Sequence, residues 1–144
     1  MRFHDWTTPE IKDGEPTRYQ WVVRHTEKFS LGYKTDIGAF TYINAKNGVL
    51  IENFVQVGSH CSIYSVSTID NKYGEVWLKK GCRIGAHSVI MPGVSVGAHS
   101  IIGAFSFVNT DIPDGVVAYG IPVKVVRTLT DEEITDMQQQ EQSI

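Results

Sequence analysis

Aliphatic residues recur at every sixth position through the second half of this chain. At about one aliphatic residue in five, six consecutive matches would arise by chance on the order of once in ten thousand frames. A six-residue unit of strand and turn cannot bury its own apolar side, whereas stacked units bury a continuous core. The period therefore predicts a parallel β-helix with triangular coils of three units each. The repeated aliphatics are Leu78, Ile84, Ile90, Val96, Ile102 and Val108.

The same register continues toward the N-terminus with two longer steps. Ile43 to Ile51 is a step of eight residues, and Ile69 to Leu78 is a step of nine. Two residues and three residues, respectively, are therefore expected to leave the coil at these points. The repeat predicts a β-helix of about four coils over residues 31–113. The other aliphatics in register are Leu31, Ile37, Val57 and Ile63.

The segments on either side of the repeat differ from it in composition. Residues 1–30 are predicted to form an N-terminal cap with a short strand near Trp21, because the open end of a β-helix is an exposed sheet edge. Residues 114–144 are expected to form an exit strand and a short helix, which the capping box at Thr130 begins. We expect a single domain over residues 1–144, within the usual size of one domain.

Charge and hydropathy exclude several classes of protein. The chain has 13 basic and 16 acidic residues and no basic run, which argues against a nucleic-acid surface. No apolar stretch approaches the roughly twenty residues that a membrane span needs. The residues from Met1 to Asp5 do not open a signal peptide. These features predict a cytoplasmic protein without a membrane partner.

Two cysteines lie four residues after an aliphatic of the repeat, at a position that usually holds a small residue. Cys61 and Cys82 are 21 residues apart, which equals one coil of 18 residues plus the predicted three-residue insertion. They are therefore expected to lie one above the other. In a reducing compartment we expect two buried free thiols rather than a disulfide.

The C-terminal half of the chain resembles a known family. An MPGV coil begins at Met91, IGA coils begin at Ile84 and Ile102, and a D-I-P turn is followed by the strand YGIPVKVVR. This order is similar to that of the hexapeptide-repeat acyltransferases, most closely the branch of galactoside, maltose and xenobiotic O-acetyltransferases and surface-polysaccharide acetyltransferases. The resemblance covers about residues 31–127. It implies an all-β, left-handed parallel β-helix, a homotrimer, and acetyl-CoA and acceptor bound between subunits.

The resemblance also suggests where the acyl donor binds. Family contacts to the cofactor correspond here to Ala86 and Ala104, with Asn109 nearby, and a basic exit strand places Lys124 and Arg127 near the phosphates. Small corner residues are also what a coil needs, and both basic residues could equally be solvated. The predicted register puts four small residues in one corner column: Ala45, Ser65, Ala86 and Ala104.

The catalytic base is where the chain departs from the family pattern. Galactoside-type members carry a catalytic histidine in a loop that corresponds to residues 64–75, and this chain has no histidine there. The candidates are His60, in a segment that resembles an amino-sugar N-acetyltransferase element one place out of phase, and Asp70 in the loop. A surface histidine and a turn-capping aspartate are the structural alternatives. The predicted register places His60 on the same face as His99, and His87 on the face of the Ala86 corner.

Polar residues beside the two insertions are candidates for binding the acceptor. Asn44 and Lys46 follow Ile43, and Tyr73 lies in the insertion between Ile69 and Leu78. We therefore expect these three residues and Asp70 to line the edge of one groove. Such groups could hold sugar hydroxyls or a nucleotide phosphate, but polar loop tips are also simply what solvent requires.

Three functions remain open on the sequence. The leading one is acetyl-CoA-dependent N-acetylation of an amino-sugar nucleotide in surface-polysaccharide biosynthesis, since a neutral amine attacks without prior deprotonation. The alternative is O-acetylation of a saccharide or small hydroxyl compound with His60 or Asp70 as base. The third is a non-catalytic or carbonic-anhydrase-like trimer, which needs three histidine ligands across an interface. The MPGV coil and exit strand favour CoA, and we predict no metal site.

Overall fold

The computed structural model describes residues 5–144, and these form a parallel β-helix followed by one α-helix. The strands are β1 Val22–Arg24, β2 Phe29–Leu31, β3 Asp36–Ile37, β4 Tyr42–Asn44, β5 Val49–Ile51, β6 Gln56–Val57, β7 Ser62–Tyr64, β8 Val66–Ser67 and β9 Lys72–Tyr73. They continue as β10 Val76–Leu78, β11 Arg83–Ile84, β12 Val89–Ile90, β13 Ser95–Val96, β14 Ile101–Ile102, β15 Phe107–Val108, β16 Val116–Tyr119 and β17 Lys124–Thr128. A 3₁₀ turn spans Thr26–Lys28, and α1 spans Asp131–Gln142.

The strands stack into the three faces of a left-handed β-helix, as predicted. Sheet A contains β1, β4, β7, β12 and β15; sheet B contains β2, β5, β10 and β13; and sheet C contains β3, β6, β11, β14 and β16, with β17 at its edge. All pairs are parallel except β16 with β17 and the small ribbon β8 with β9. The described residues therefore make about five coils rather than the four predicted.

One column of aliphatic side chains points inward from each sheet. In sheet A the column is Val23, Ile43, Ile63, Ile90 and Val108, all fully buried. Burial of each such side chain contributes about 1.5–3 kcal/mol relative to leaving it in water. The columns of the three sheets meet in a single core, which explains why the six-residue period persists along the chain.

Ile69 does not belong to this core, so the predicted step from Ile69 to Leu78 is wrong. Ile69 is 99% exposed, and Ile63 of sheet A is followed by Leu78 of sheet B, which pairs with Ile51. The nine residues beyond the normal step leave the coil, not three. They contain the antiparallel ribbon β8–β9, with Ile69 near its tip, so an aliphatic residue sits six places after Ile63 without being part of the repeat.

The larger insertion also moves the cysteines apart. Cys61 precedes β7 in sheet A, whereas Cys82 precedes β11 in sheet C, so the predicted stacking of one above the other is wrong. Cys61 lies in one column with Ser88, because the Ser62 amide donates to the Ser88 carbonyl and the Tyr42 amide donates to the Cys61 carbonyl. Both thiols are buried and free, as predicted. Burial raises the pKa of each thiol, so neither is a reactive thiolate at neutral pH.

The coil extends beyond residues 31–113 at both ends. β1 pairs in parallel with β4, so the strand predicted near Trp21 is the first layer of sheet A. At the other end β16 pairs in parallel with β14 and stays in the coil, and only β17 turns back. The first four residues of the predicted cap, including His4, lie outside the described residues. The predicted capping box begins α1, where the Glu133 amide donates to Thr130 Oγ1 over 3.1 Å.

In the part of the chain that the structure describes, no helix has the length and apolar character that crossing a membrane would require.

Candidate active site

The three corners of the β-helix carry the candidate site residues. The C–A corner joins each sheet C strand to the next strand of sheet A, and the A–B and B–C corners join the other faces in the same way. Residues three places after an inward aliphatic adopt a left-handed backbone at several turns, including His60 with φ of 59°. This conformation directs their side chains outward, where they stack from coil to coil.

His60 belongs to a column of four rings on the C–A corner. Its ring lies 4.8 Å from that of His87 with an angle of 4° between the planes, and 5.1 Å from that of Phe40. His87 in turn stacks on Phe105 at 4.9 Å. The predicted separation of His60 from His87 is therefore wrong, because the insertion after Ile63 moves all later residues to the next corner. The signal was present in the sequence, since each ring follows an inward aliphatic by three residues.

His99 lies on a different corner and already has a partner. It is buried on the B–C corner, where Nε2 is 2.7 Å from Glu141 Oε1 of α1. The prediction that it shares a face with His60 is therefore wrong. Within residues 5–144 of one chain, no group of three or more His, Cys, Asp or Glu side chains is placed to hold a metal ion.

Ala86 and Ala104 lie on the C–A corner beside the ring column. The Phe105 amide donates to the Ala86 carbonyl, and the His87 amide donates to the Ser59 carbonyl, so these small residues are stacked in one column. Ala45 and Ser65 belong instead to the A–B corner, which corrects the predicted four-residue column.

The backbone of the C–A corner carries two amide donors that the rest of residues 5–144 leaves unpaired. A Cβ added to Gly85 would lie 2.4 Å from the Ala104 amide nitrogen, so successive coils touch here without side chains between them. The amide N–H groups of Ala86 and Ala104 have no hydrogen-bond acceptor among residues 5–144. Together these features make a shallow strip with unpaired donors. Such a strip fits the amide-bearing arm of an acyl carrier and can stabilise a developing oxyanion.

A cavity of about 460 Å³ lies at the opposite end of sheet A, under the β8–β9 ribbon. The rings of Tyr42 and Tyr64 form one side of it, 6.1 Å apart and tilted by 56°. Asn44, Ile69, Asp70 and Met91 also line it. Neither the two tyrosines nor Met91 is among the residues predicted from the sequence. Tyr42 and Tyr64 are adjacent to the inward Ile43 and Ile63, and alternation along a strand points such neighbours outward.

Asp70 is the carboxylate of this cavity. A hydrogen bond from the Ser67 hydroxyl and, to a lesser extent, the Lys72 ammonium hold the pKa of Asp70 below its usual range. The Lys72 Nζ atom lies 3.6 Å from Asp70 Oδ2. Asp70 is therefore an anion at neutral pH. It can attract a cationic group, and because its pKa is low it holds an accepted proton only briefly.

Of the other predicted acceptor residues, Asn44 lines this cavity, whereas Lys46 and Tyr73 do not. Asn44 lines it together with Asp70. The Lys46 amide donates to Asn44 Oδ1 over 3.1 Å, but the exposed Lys46 side chain does not line the cavity. Tyr73 pairs with Val66 in the ribbon and is exposed. His60 is at the far end of sheet A, so a single chain does not bring His60 and Asp70 together.

The basic residues of β17 differ in their availability. Lys124 is exposed, and no carboxylate within residues 5–144 forms an ion pair with it. Arg127 makes two hydrogen bonds to Glu133, of 2.8 and 2.9 Å, and these hold the pKa of Glu133 at about 2. Asn109 is exposed just after β15, beyond the A–B end of sheet A and away from Ala104.

Comparisons with known proteins agree with the repeat. The family described as bacterial transferase hexapeptide (six repeats) matches residues 75–110. The chain is 33% identical to the galactoside O-acetyltransferase of Escherichia coli over 120 residues, which cover 73% of this chain and 59% of that protein. The chain thus spans little more than half the length of this relative.

A second relative and a solved structure extend the comparison. Over 53 residues, 37% of this chain and 28% of the relative, the chain is 45% identical to the dTDP-3-amino-3,6-dideoxy-α-D-galactopyranose 3-N-acetyltransferase of Aneurinibacillus thermoaerophilus. It superposes on a galactoside acetyltransferase solved in complex with coenzyme A, with a TM-score of 0.72 and 25% identity over 79% of this chain and 62% of that one. The predicted resemblance to the hexapeptide-repeat acyltransferases is confirmed.

Proposed function

We propose that this hexapeptide-repeat protein is an acetyl-CoA-dependent acetyltransferase that N-acetylates an amino-sugar nucleotide. The observation that carries the proposal is the lone carboxylate, Asp70, in a cavity otherwise lined by aromatic, aliphatic and neutral polar side chains. The ammonium that pairs with Asp70, that of Lys72, is exposed and does not line the cavity. A cationic group of an acceptor could therefore exchange with this surface ion pair, and an amino sugar is the member of the saccharide class that presents one. The 45% identical N-acetyltransferase segment points the same way.

The strip beside Ala86 and Ala104 supports acetyl-CoA as the donor. The unpaired amides of these two residues offer hydrogen bonds to the carbonyl groups of a pantetheine arm. The galactoside acetyltransferase of the same fold was solved with coenzyme A. Lys124, at the start of β17, is exposed and without an ion-pair partner among residues 5–144, and we assign it to a phosphate of the donor.

The reaction then needs little from the protein beyond position and one proton acceptor. The bound ammonium first releases one proton to solvent, and the lone pair of the resulting neutral amine attacks the thioester carbonyl, forming the C–N bond while the C–S bond breaks and the thiolate of coenzyme A leaves. The carbonyl oxygen carries negative charge in between, which backbone N–H donors stabilise. The nitrogen carries a positive charge once the C–N bond has formed, and it loses a second proton to the Asp70 carboxylate, which passes that proton on to solvent or to the leaving thiolate.

A homotrimer accounts for the separation of the two candidate regions. Within one chain the donor strip on the C–A corner and the acceptor cavity at the A–B end of sheet A are at opposite ends of one sheet. A neighbouring copy that brought its β8–β9 ribbon to the C–A corner would join them. We accordingly place the site between subunits, and we place the activity in the cytoplasm, in the biosynthesis of surface polysaccharides such as lipopolysaccharide.

O-acetylation is the second candidate, favoured by the 33% identical galactoside O-acetyltransferase. A hydroxyl is a weaker nucleophile than an amine and needs a stronger base, a role that the exposed His60 could supply.

Initial rates with acetyl-CoA and matched sugar nucleotides, identical except for an amine or a hydroxyl at one carbon, distinguish N-acetylation from O-acetylation. We expect turnover of the amine only; preference for the hydroxyl compound would reverse the assignment, and no thiol release with either would reject the proposed activity.

Replacing Lys124 by Ala is expected to weaken acetyl-CoA binding about ten-fold, because a charge-assisted hydrogen bond to phosphate is lost. Replacing Arg127 by Ala should have a smaller effect, since Glu133 already holds that guanidinium. Isothermal titration calorimetry with acetyl-CoA measures both. If neither variant, nor the two combined, changes the affinity, β17 does not meet the donor.

A further inference from the structure

α1 runs along the B–C corner and fits two notches made by glycines. A Cβ on Gly115 would lie 3.2 Å from Ile134 Cδ1, and a Cβ on Gly81 would lie 2.4 Å from Glu141 Oε1. The twelve residues of α1 span about 18 Å, which is nearly four coils at about 4.8 Å each. The helix therefore crosses most of the stack and ties separate coils together.

The N-terminal end of α1 is anchored several times. Leu129 is buried just before the helix, and its amide donates to the Gly115 carbonyl over 2.8 Å. The capping box at Thr130 closes the first turn, and Glu133 is held by Arg127. These contacts join the start of the helix to the last coils and to β17.

The C-terminal half of α1 is held by one buried apolar residue and several polar contacts. Met137 is the buried apolar residue of the helix. Beyond it Arg83 donates to Gln140 over 3.0 Å, and Glu141 meets His99 at 2.7 Å with both side chains nearly buried. Next to these contacts a cavity of about 450 Å³ separates the helix from the ring pair of Tyr33 and Phe54. The end of the helix is thus attached through the polar contacts of Gln140 and Glu141, and just beyond it the Lys34 ammonium donates to the Ile144 carbonyl.

We propose that α1 is a strap that opens from its C-terminal end, with Leu129 and Thr130 as the hinge, and that the bond of Glu141 to His99 in the Gly81 notch is its latch. Opening breaks contacts that belong to α1 alone and leaves the inward columns of the coil packed. Elements with few buried apolar contacts open at a lower free energy than the core. Opening also uncovers the half-buried ring of Phe54, beside Tyr33, which is already 51% exposed. This inference does not depend on the proposed acetyltransferase activity.

Three variants test the latch. Glu141→Gln removes the charge while keeping the shape of the side chain, and Gly81→Ala fills the notch at a position whose φ of 70° disfavours Ala. Glu132→Gln is the matched control, because Glu132 lies exposed on the same helix and away from the corner. Amide hydrogen exchange, measured residue by residue by NMR, follows α1 and the coil separately.

We expect the α1 amides of the unmodified protein to exchange faster than the amides of Ile63 and Ile90, with rates that rise toward Gln142. Glu141→Gln and Gly81→Ala should speed exchange of the last two turns of α1 about ten- to hundred-fold and leave the coil unchanged. Glu132→Gln should change neither. The proposal is overturned if α1 and the coil exchange at one common rate, or if Glu141→Gln leaves α1 unaffected. Should Gly81→Ala fail to fold, Glu141→Gln still decides, since it adds no atom to the coil.

Discussion

Replacing Ile90 by Ala is expected to lower the free energy of unfolding by about 2–5 kcal/mol. Ile90 is fully buried in the middle of sheet A, between Ile63 below and Val108 above. The coils on either side are fixed by backbone hydrogen bonds, so they are unable to collapse into the space that the side chain leaves. The loss therefore combines the transfer of the removed atoms with a cavity term.

Ile69→Ala is the matched control for this prediction. It removes the same atoms from a residue that is 99% exposed at the ribbon tip, and we expect a change within about 0.5 kcal/mol. Urea denaturation followed by circular dichroism gives both values. Equal destabilisation by the two variants would mean that Ile69 packs in a coil, as the six-residue period alone predicts, and would contradict the register of β10 on β5.

The period predicted the fold because it reports the one requirement that every coil shares. An inward aliphatic is needed wherever a strand faces the core, so Ile43, Ile84 and Ile102 are visible without any knowledge of their neighbours. The capping box at Thr130 was equally visible, because its partners are three residues apart. Inward burial that repeats every six residues and capping between residues three apart both leave a pattern that a single sequence shows.

The assignment of residues to corners failed because it depends on the length of one insertion. A loop residue such as Ile69 can match the repeat without packing in it, and the period alone gives no sign of the difference. Counting three extra residues instead of nine shifts every later residue by one corner. The prediction therefore placed His60 and His87 on different corners and Ala45 and Ala86 on the same corner. In the structure His60 and His87 share a corner, whereas Ala45 and Ala86 do not.

Contacts between distant segments were also beyond a single sequence. The pairing of His99 with Glu141 joins residues 42 apart and depends on the direction in which α1 leaves the last coil. The same holds for the bond of Arg127 to Glu133, which occupies a guanidinium that the resemblance assigned to a phosphate. Side-chain partners of this kind follow from the packing of α1, and packing is decided only when the whole fold is known.

Replacing Asp70 by Asn is expected to lower kcat/KM for the amino-sugar acceptor by about a hundred- to ten-thousand-fold. The variant keeps the size of the side chain and its place in the ribbon, but it removes both the negative charge that attracts the acceptor and the oxygen that accepts the proton. Lys72→Gln controls for the ion pair at 3.6 Å, and we expect it to change the rate only a few-fold. Steady-state assays of thiol release measure all three proteins.

His60→Phe completes the test, because it distinguishes a base from a packing residue. Phenylalanine preserves a ring between Phe40 and His87 while removing both nitrogen atoms, so a purely structural role survives the change. With an amine acceptor and Asp70 as the proton acceptor, we expect His60→Phe to alter kcat by only a few-fold. A loss of a hundred-fold or more in His60→Phe, together with a mild effect of Asp70→Asn, would make His60 the base. That outcome would favour the hydroxyl acceptor, because an amine does not need so strong a base.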